Sequence, residues 1–160
     1  MSWVVYVIRH GASEGNRYNQ ASFGPKGGAL TEKGIEEAKT LSKELQAIDI
    51  DTRIEPAATS AMKRAYETAH YAGFQHINIY SVLNEVGGDE PPEILDAMLA
   101  RKEAPPSAIA AAQKLLKNPP LERVWVTHGQ LIAGIAHVLH IPTSELFIPK
   151  TGTITKLELP

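Results

Sequence analysis

Trp3-Val4-Val5-Tyr6-Val7-Ile8 is a run of β-branched and aromatic residues, and Arg9-His10-Gly11 follows it directly. Side chains of this kind suit a pleated surface, and the absence of polar alternation marks a strand covered on both faces, as in the middle of an α/β sheet. The pattern returns at Val124-Trp125-Val126-Thr127, which again ends in a histidine and a glycine, His128-Gly129. Ligands of open α/β sheets bind beyond the carboxyl ends of the strands. If the two strands are parallel neighbours, both imidazoles reach one edge of the sheet. Glycine after each histidine lets the backbone turn and lets a ligand approach closely.

Outward from these strands, the chain alternates strand and helix. Residues Gly11 to Gly28 form a polar, glycine-rich connector, longer than a simple link requires. Thr31 offers a helix N-cap with Glu32 in the first turn, and Ile35, Ala38, Leu41, Leu45 and Ile48 recur at helical spacing. Thr52 to Ala58 reads as a second strand weakened by Pro56. Ser60 is positioned to cap a helix running to about Tyr71, with Met62, Ala65, Ala69 and Ala72 as its apolar stripe. Ile77 to Tyr80 is a third strand and Ile94 to Leu99 a short helix. Ser107 is expected to cap a helix reaching about Lys117, which Pro119-Pro120 stops. Leu131 to Leu139 reads as the next helix, and Gly152 to Leu157 as the last strand. The alternation predicts an α/β fold, a three-layer sandwich with a mostly parallel central sheet flanked by helices, in one domain over residues 1–160.

With 160 residues, 43% of them apolar, the chain can bury one sizeable core. The net charge of -2 comes without a block of like charge, so no nucleic-acid partner and no membrane partner is indicated. Cysteine is absent, which excludes disulfides and thiolate chemistry. The apolar N-terminal run is short and is followed by its positive charge, the reverse of a secretory signal, so the expected location is cytoplasmic.

Four segments, in order, resemble the histidine phosphatase superfamily, the phosphoglycerate mutase-like family. They are Arg9-His10-Gly11 with Ser13 and Asn16; Leu30-Thr31-Glu32-Lys33-Gly34; Ser60 through Ala69 around Arg64; and Val126-Thr127-His128-Gly129. Each segment alone is a weak signal, whereas the ordered set covers nearly the whole chain. The resemblance implies a covalent phosphohistidine on His10. It implies that Arg9 and Arg64 clamp the phosphoryl oxygens, that His128 donates to them, and that Asn16, Ser13 and Gly129 line the substrate site. No metal and no cofactor is implied, since arginines and histidines supply the electrophilic stabilisation. For Arg64 the competing reading is a solvated helix face paired with Glu67, three residues on. For Ser13 and Asn16 it is turn chemistry.

A general acid must protonate the leaving oxygen. Family members place a glutamate after the third strand, where this chain has Glu85; Asp89, Glu90 and Glu93 are rivals. The chain departs from the family in having Ala12 where glutamate is usual and Gly15 where an aromatic is common. The segment between Glu85 and His128 is shorter than in phosphoglycerate mutases, where an insertion encloses the sugar acid. An abbreviated lid admits water, which favours a phosphatase acting on a phosphorylated small molecule. A mutase, a protein phosphohistidine phosphatase and an inactive phospholigand-binding module are the alternatives. The compact phosphohistidine phosphatases lack the glutamate acid, so Glu85 favours an alkyl phosphomonoester over a phosphoprotein.

Overall fold

The computed structural model describes residues 3–14, 28–86 and 90–160. The elements are β1 (Trp3–Arg9), α1 (Glu32–Ala47), β2 (Ala57–Thr59), α2 (Lys63–Tyr71), β3 (Ile77–Ile79), α3 (Pro92–Ala100), α4 (Pro106–Lys117), β4 (Val124–Thr127), α5 (Gly129–Val138) and β5 (Ile154–Leu159). A 3-10 turn, Ser81–Leu83, follows β3. The sheet order is β3-β2-β4-β1-β5. Four strands run parallel, and β5 pairs antiparallel with β1 from Trp3 opposite Leu159 to Ile8 opposite Ile154.

Alternation along the strands divides the core into two layers. Val5, Val7, Trp125 and Leu157 face α4 and α5, meeting Ala112, Leu115, Leu131, Ile132 and Ile135. Ile8, Val124, Val126 and Ala57 face the opposite side, meeting Leu41 and Leu45 of α1 and Ala65 and Ala69 of α2. This is the expected three-layer sandwich. No described helix is long and apolar enough to cross a membrane.

The local expectations hold where one strong signal acts. Thr31 caps α1, its hydroxyl accepting from the Gly34 amide at 3.1 Å. Elsewhere tertiary partners override them. The second strand starts only after Pro56, because the Asp51 carbonyl turns the chain by accepting from the Ile54 and Glu55 amides. Ser60 does not cap α2; Met62 stands at the N-cap without a side-chain bond. Ser107 does not cap α4 either. The helix begins at Pro106, whose fixed φ and missing amide suit the first helical position. The Ser107 amide and hydroxyl both donate to Glu90, at 2.8 and 2.7 Å. The last strand begins at Ile154 rather than Gly152, which takes φ 69° in the turn before it.

The order of strands creates the site. The helix after β1 covers one face of the sheet, whereas the helix after β4 covers the other. Because β1 and β4 are adjacent, their exits diverge and leave a crevice at the carboxyl edge, the topological switch point of an α/β sheet.

Candidate active site

Arg9 and Thr127 are register partners across the β1–β4 pair, so the residues that follow them leave the sheet together. The His10 amide donates to the Thr127 carbonyl at 3.0 Å. The His10 and His128 rings lie with centroids 5.0 Å apart and planes tilted by 58°.

His10 is 3% exposed. Its Nδ1 lies 2.7 Å from the Gly11 carbonyl oxygen. A carbonyl can only accept, so Nδ1 carries the proton and Nε2 keeps the lone pair. Burial pulls the imidazole pKa from 6.5 down to about 3; the Gly11 carbonyl opposes this, and Arg64 and Arg9 reinforce it. His10 is therefore a neutral base with its lone pair on Nε2.

The backbone around it is packed with little tolerance. A Cβ on Gly11 would stand 2.6 Å from the Gly34 carbonyl oxygen, so the turn carrying His10 rests directly on the first turn of α1. Gly11 serves this close approach and not a left-handed φ. Its amide donates to Thr68 Oγ1 at 2.9 Å, and Thr68 donates in turn to the Arg64 carbonyl at 2.7 Å. Glu37 of α1 accepts from the Ala12 amide at 2.8 Å and from the Thr151 hydroxyl at 3.1 Å.

Arg9 is held from the other side. Its Nη1 donates to the Pro149 carbonyl at 2.7 Å. A Cβ on Gly129 would come within 3.1 Å of Arg9 Nε and 2.8 Å of Ile148, so glycine at the start of α5 leaves room for the guanidinium. Arg64, in the first turn of α2, is 4% exposed. Glu67 does not hold it on a solvated face; the Glu67 carboxylate accepts from the Leu30 amide at 3.1 Å. Burial lowers the Arg64 pKa, the Glu85 carboxylate opposes that shift, and Arg9 adds to it. Two guanidinium groups and a carboxyl thus share one neighbourhood with the histidines. Gly28 takes φ 73°, and a Cβ there would meet Arg64 Nη1 at 2.8 Å.

His128 is fully buried, with Nε2 2.7 Å from Ser60 Oγ. Burial, then His10, Arg64 and Arg9, push its pKa well below 6.5, so this imidazole is also neutral.

Glu85 follows the 3-10 turn and lies at the amino end of α5. Its carboxylate accepts from the Val86 amide at 3.1 Å and, more loosely, from the Gln130 and Leu131 amides at 3.4 and 3.3 Å. The residue is half-buried overall, but its carboxyl is turned inward. Burial raises its pKa from 4.5 to about 7, against the three amides and Arg64, which favour the anion. Of its rivals, Glu90 is committed to Ser107, Glu93 is exposed on α3, and Asp89 lies outside the described residues. Ser13 is buried and bridges Leu30 in an antiparallel contact. Asn16 lies outside the described residues.

The Histidine phosphatase superfamily (branch 1) model matches residues 5–90. The chain belongs to the histidine phosphatase superfamily. That match spans Arg9, His10, Arg64 and Glu85; His128 lies beyond it and stands beside His10 through the β1–β4 register. No curated protein matches the sequence. Solved structures share the fold. TTHB049 from Thermus thermophilus is 22% identical with a TM-score of 0.69, covering 97% of this chain and 93% of that one. A proposed alpha-ribazole-5'-P phosphatase from Escherichia coli K-12 is 20% identical with a TM-score of 0.66, covering 98% and 90%. A structure described as mycobacterial hydrolase 1 is 23% identical with a TM-score of 0.67, covering 99% and 91%.

Three supporting roles escaped the sequence: Ser60 reads as a helix cap, Thr68 only as part of the segment around Arg64, and Glu37 is not singled out. Their partners His128, Gly11 and Ala12 lie 68, 57 and 25 positions away.

Proposed function

We propose that this protein is a metal-independent phosphatase that hydrolyses an alkyl phosphomonoester through a phosphohistidine on His10. The observation that carries the reading is the state of His10: buried, neutral, with Nδ1–H tied to the Gly11 carbonyl and Nε2 free beside two guanidinium groups.

In the first step, Nε2 of His10 attacks phosphorus and the bond to the leaving oxygen breaks. Arg9 and Arg64 bind the phosphoryl oxygens, and their fixed, permanently charged forks suit that trigonal array. His128 donates a further hydrogen bond. Glu85, protonated at its raised pKa, gives its proton to the departing alkoxide. In the second step, water attacks the phosphohistidine and Glu85, now a carboxylate, takes the water's proton. The P–N bond breaks and its electron pair returns to Nε2, which restores the enzyme. Two easier displacements thus replace one difficult one.

The test is phosphate release from a panel of alkyl and aryl phosphomonoesters and sugar-acid phosphates, in EDTA, for wild type and His10→Ala. The expected result is turnover that survives EDTA and collapses in the variant. Exchange of phosphate between positions of a glycerate would instead indicate a mutase. Tight binding without turnover would indicate a binding module.

A further inference from the structure

Among the described residues, the hydroxyl of Ser60 is the partner of His128 Nε2, and His128 Nδ1 is buried with no hydrogen-bond partner among them. We propose that Ser60 is a positioning residue that holds the single proton of His128 on Nδ1, where the ring donates to the phosphoryl group. The assignment rests on the proposed phosphoryl-transfer reading for its catalytic consequence, but not for the tautomer itself.

A neutral imidazole carries one ring proton, on one nitrogen only, and the hydrogen bond made by the other nitrogen decides which. His128 is fully buried beside two arginines and a second imidazole, an environment hostile to a second proton. Ser60 is fully buried too, with its amide donating to the Val126 carbonyl at 3.2 Å. Its Oγ accepts from the Met62 amide at 3.2 Å. That bond takes one of the hydroxyl's two lone pairs, and among the described residues His128 Nε2, 2.7 Å away, is the acceptor within reach of its buried proton. Nε2 is then the acceptor, and Nδ1 holds N–H.

The other tautomer would leave a lone pair on Nδ1, the buried ring nitrogen with no hydrogen-bond partner among the described residues. Facing phosphoryl oxygens, that lone pair would repel where the mechanism needs a donor. Ser60 thus explains why a serine stands at the end of β2 although it caps no helix. It acts on the transferring group only through His128.

The decisive experiment is long-range 1H–15N correlation NMR of the histidine side chains at pH 7.5, for wild type, Ser60→Ala and Ser60→Thr. His128 in the wild type is expected to be protonated on Nδ1. Ser60→Ala is expected to lose that preference, with kcat falling roughly 100-fold, the scale of one oxyanion donor lost. Ser60→Thr, which keeps the hydroxyl, is expected to restore both. A wild-type spectrum with the proton on Nε2 would overturn the proposal, whether or not the alanine variant folds. So would a Ser60→Ala protein with the wild-type tautomer. The Nδ1 tautomer in a wild type that turns over no phosphomonoester would uphold the role of Ser60 and count against the phosphatase reading alone.

Discussion

The Gly11 amide and the Thr68 hydroxyl are hydrogen-bonded at 2.9 Å, which ties the turn carrying His10 to the helix carrying Arg64. Both groups are buried. Thr68→Val keeps the shape and removes the acceptor, leaving the Gly11 N–H unsatisfied. Such a loss costs about 1–3 kcal/mol. The expected outcome in urea denaturation is a loss of that size, accompanied by reduced kcat. Thr68→Ser, which retains the acceptor, is expected to fall between valine and wild type in both.

The contact of Gly11 with Gly34 gives a sharper packing prediction. A methyl group on Gly11 would drive into backbone, which cannot rotate away. Gly11→Ala is expected to destabilise by at least the roughly 1–3 kcal/mol typical of overpacking. Thermal unfolding measures it. An unchanged melting temperature would mean that the turn carrying His10 does not rest on α1.

In the proposed mechanism, Glu85 sets the alkaline limb of activity. Its pKa is raised to about 7, so the protonated, proton-donating form prevails below pH 7 and is lost above it. Activity toward alkyl phosphates is therefore expected to fall as pH rises through about 7, tending to tenfold per unit. Glu85→Gln is expected to lower alkyl phosphate turnover by roughly 10²–10⁴-fold, the usual weight of general acid catalysis. With aryl phosphates, whose leaving groups need little protonation, the burst of released phenol is expected to survive in Glu85→Gln while steady turnover falls with the lost base.

His10 sets a pH dependence of stability with the opposite origin. Its folded pKa, about 3, lies below the unfolded value of 6.5. The unfolded chain therefore binds a proton that the folded one refuses, and stability falls as pH drops below 6.5. Glu85 works the other way: its raised pKa contributes stability that is present below 4.5 and lost as pH rises through 7. Comparing wild type with His10→Gln isolates the histidine. Between pH 7.5 and 5.5, wild type is expected to lose about 1 kcal/mol more than the variant, read by urea denaturation.

The layers and the pairing of the histidines were legible because they rest on periodicity and strand ends. Val7 and Ile8 face opposite sides, and both Arg9-His10-Gly11 and Thr127-His128-Gly129 mark a strand's exit. The antiparallel direction of β5 was not legible, because direction depends on where the long segment 139–153 returns the chain. Nor were the roles of Ser60 and Ser107. A serine before a helical stripe is a good local cap signal, yet one hydroxyl is claimed by His128 and the other by Glu90. Long-range hydrogen bonds of this kind leave no trace in nearby sequence. Arg64 lay between: the sequence supplied a rival partner in Glu67, and only the fold turns the guanidinium inward.

The central claim is the phosphoryl group on His10. Brief mixing with a 32P-labelled aryl phosphomonoester, whose leaving group needs no acid, followed by alkaline quench and peptide mapping, reads it directly. The account predicts an acid-labile, base-stable label on the peptide containing His10, approaching one per chain when turnover is slowed in Glu85→Gln, and absent in His10→Gln. A label on any other residue, or steady turnover with no labelled enzyme under those conditions, would contradict it.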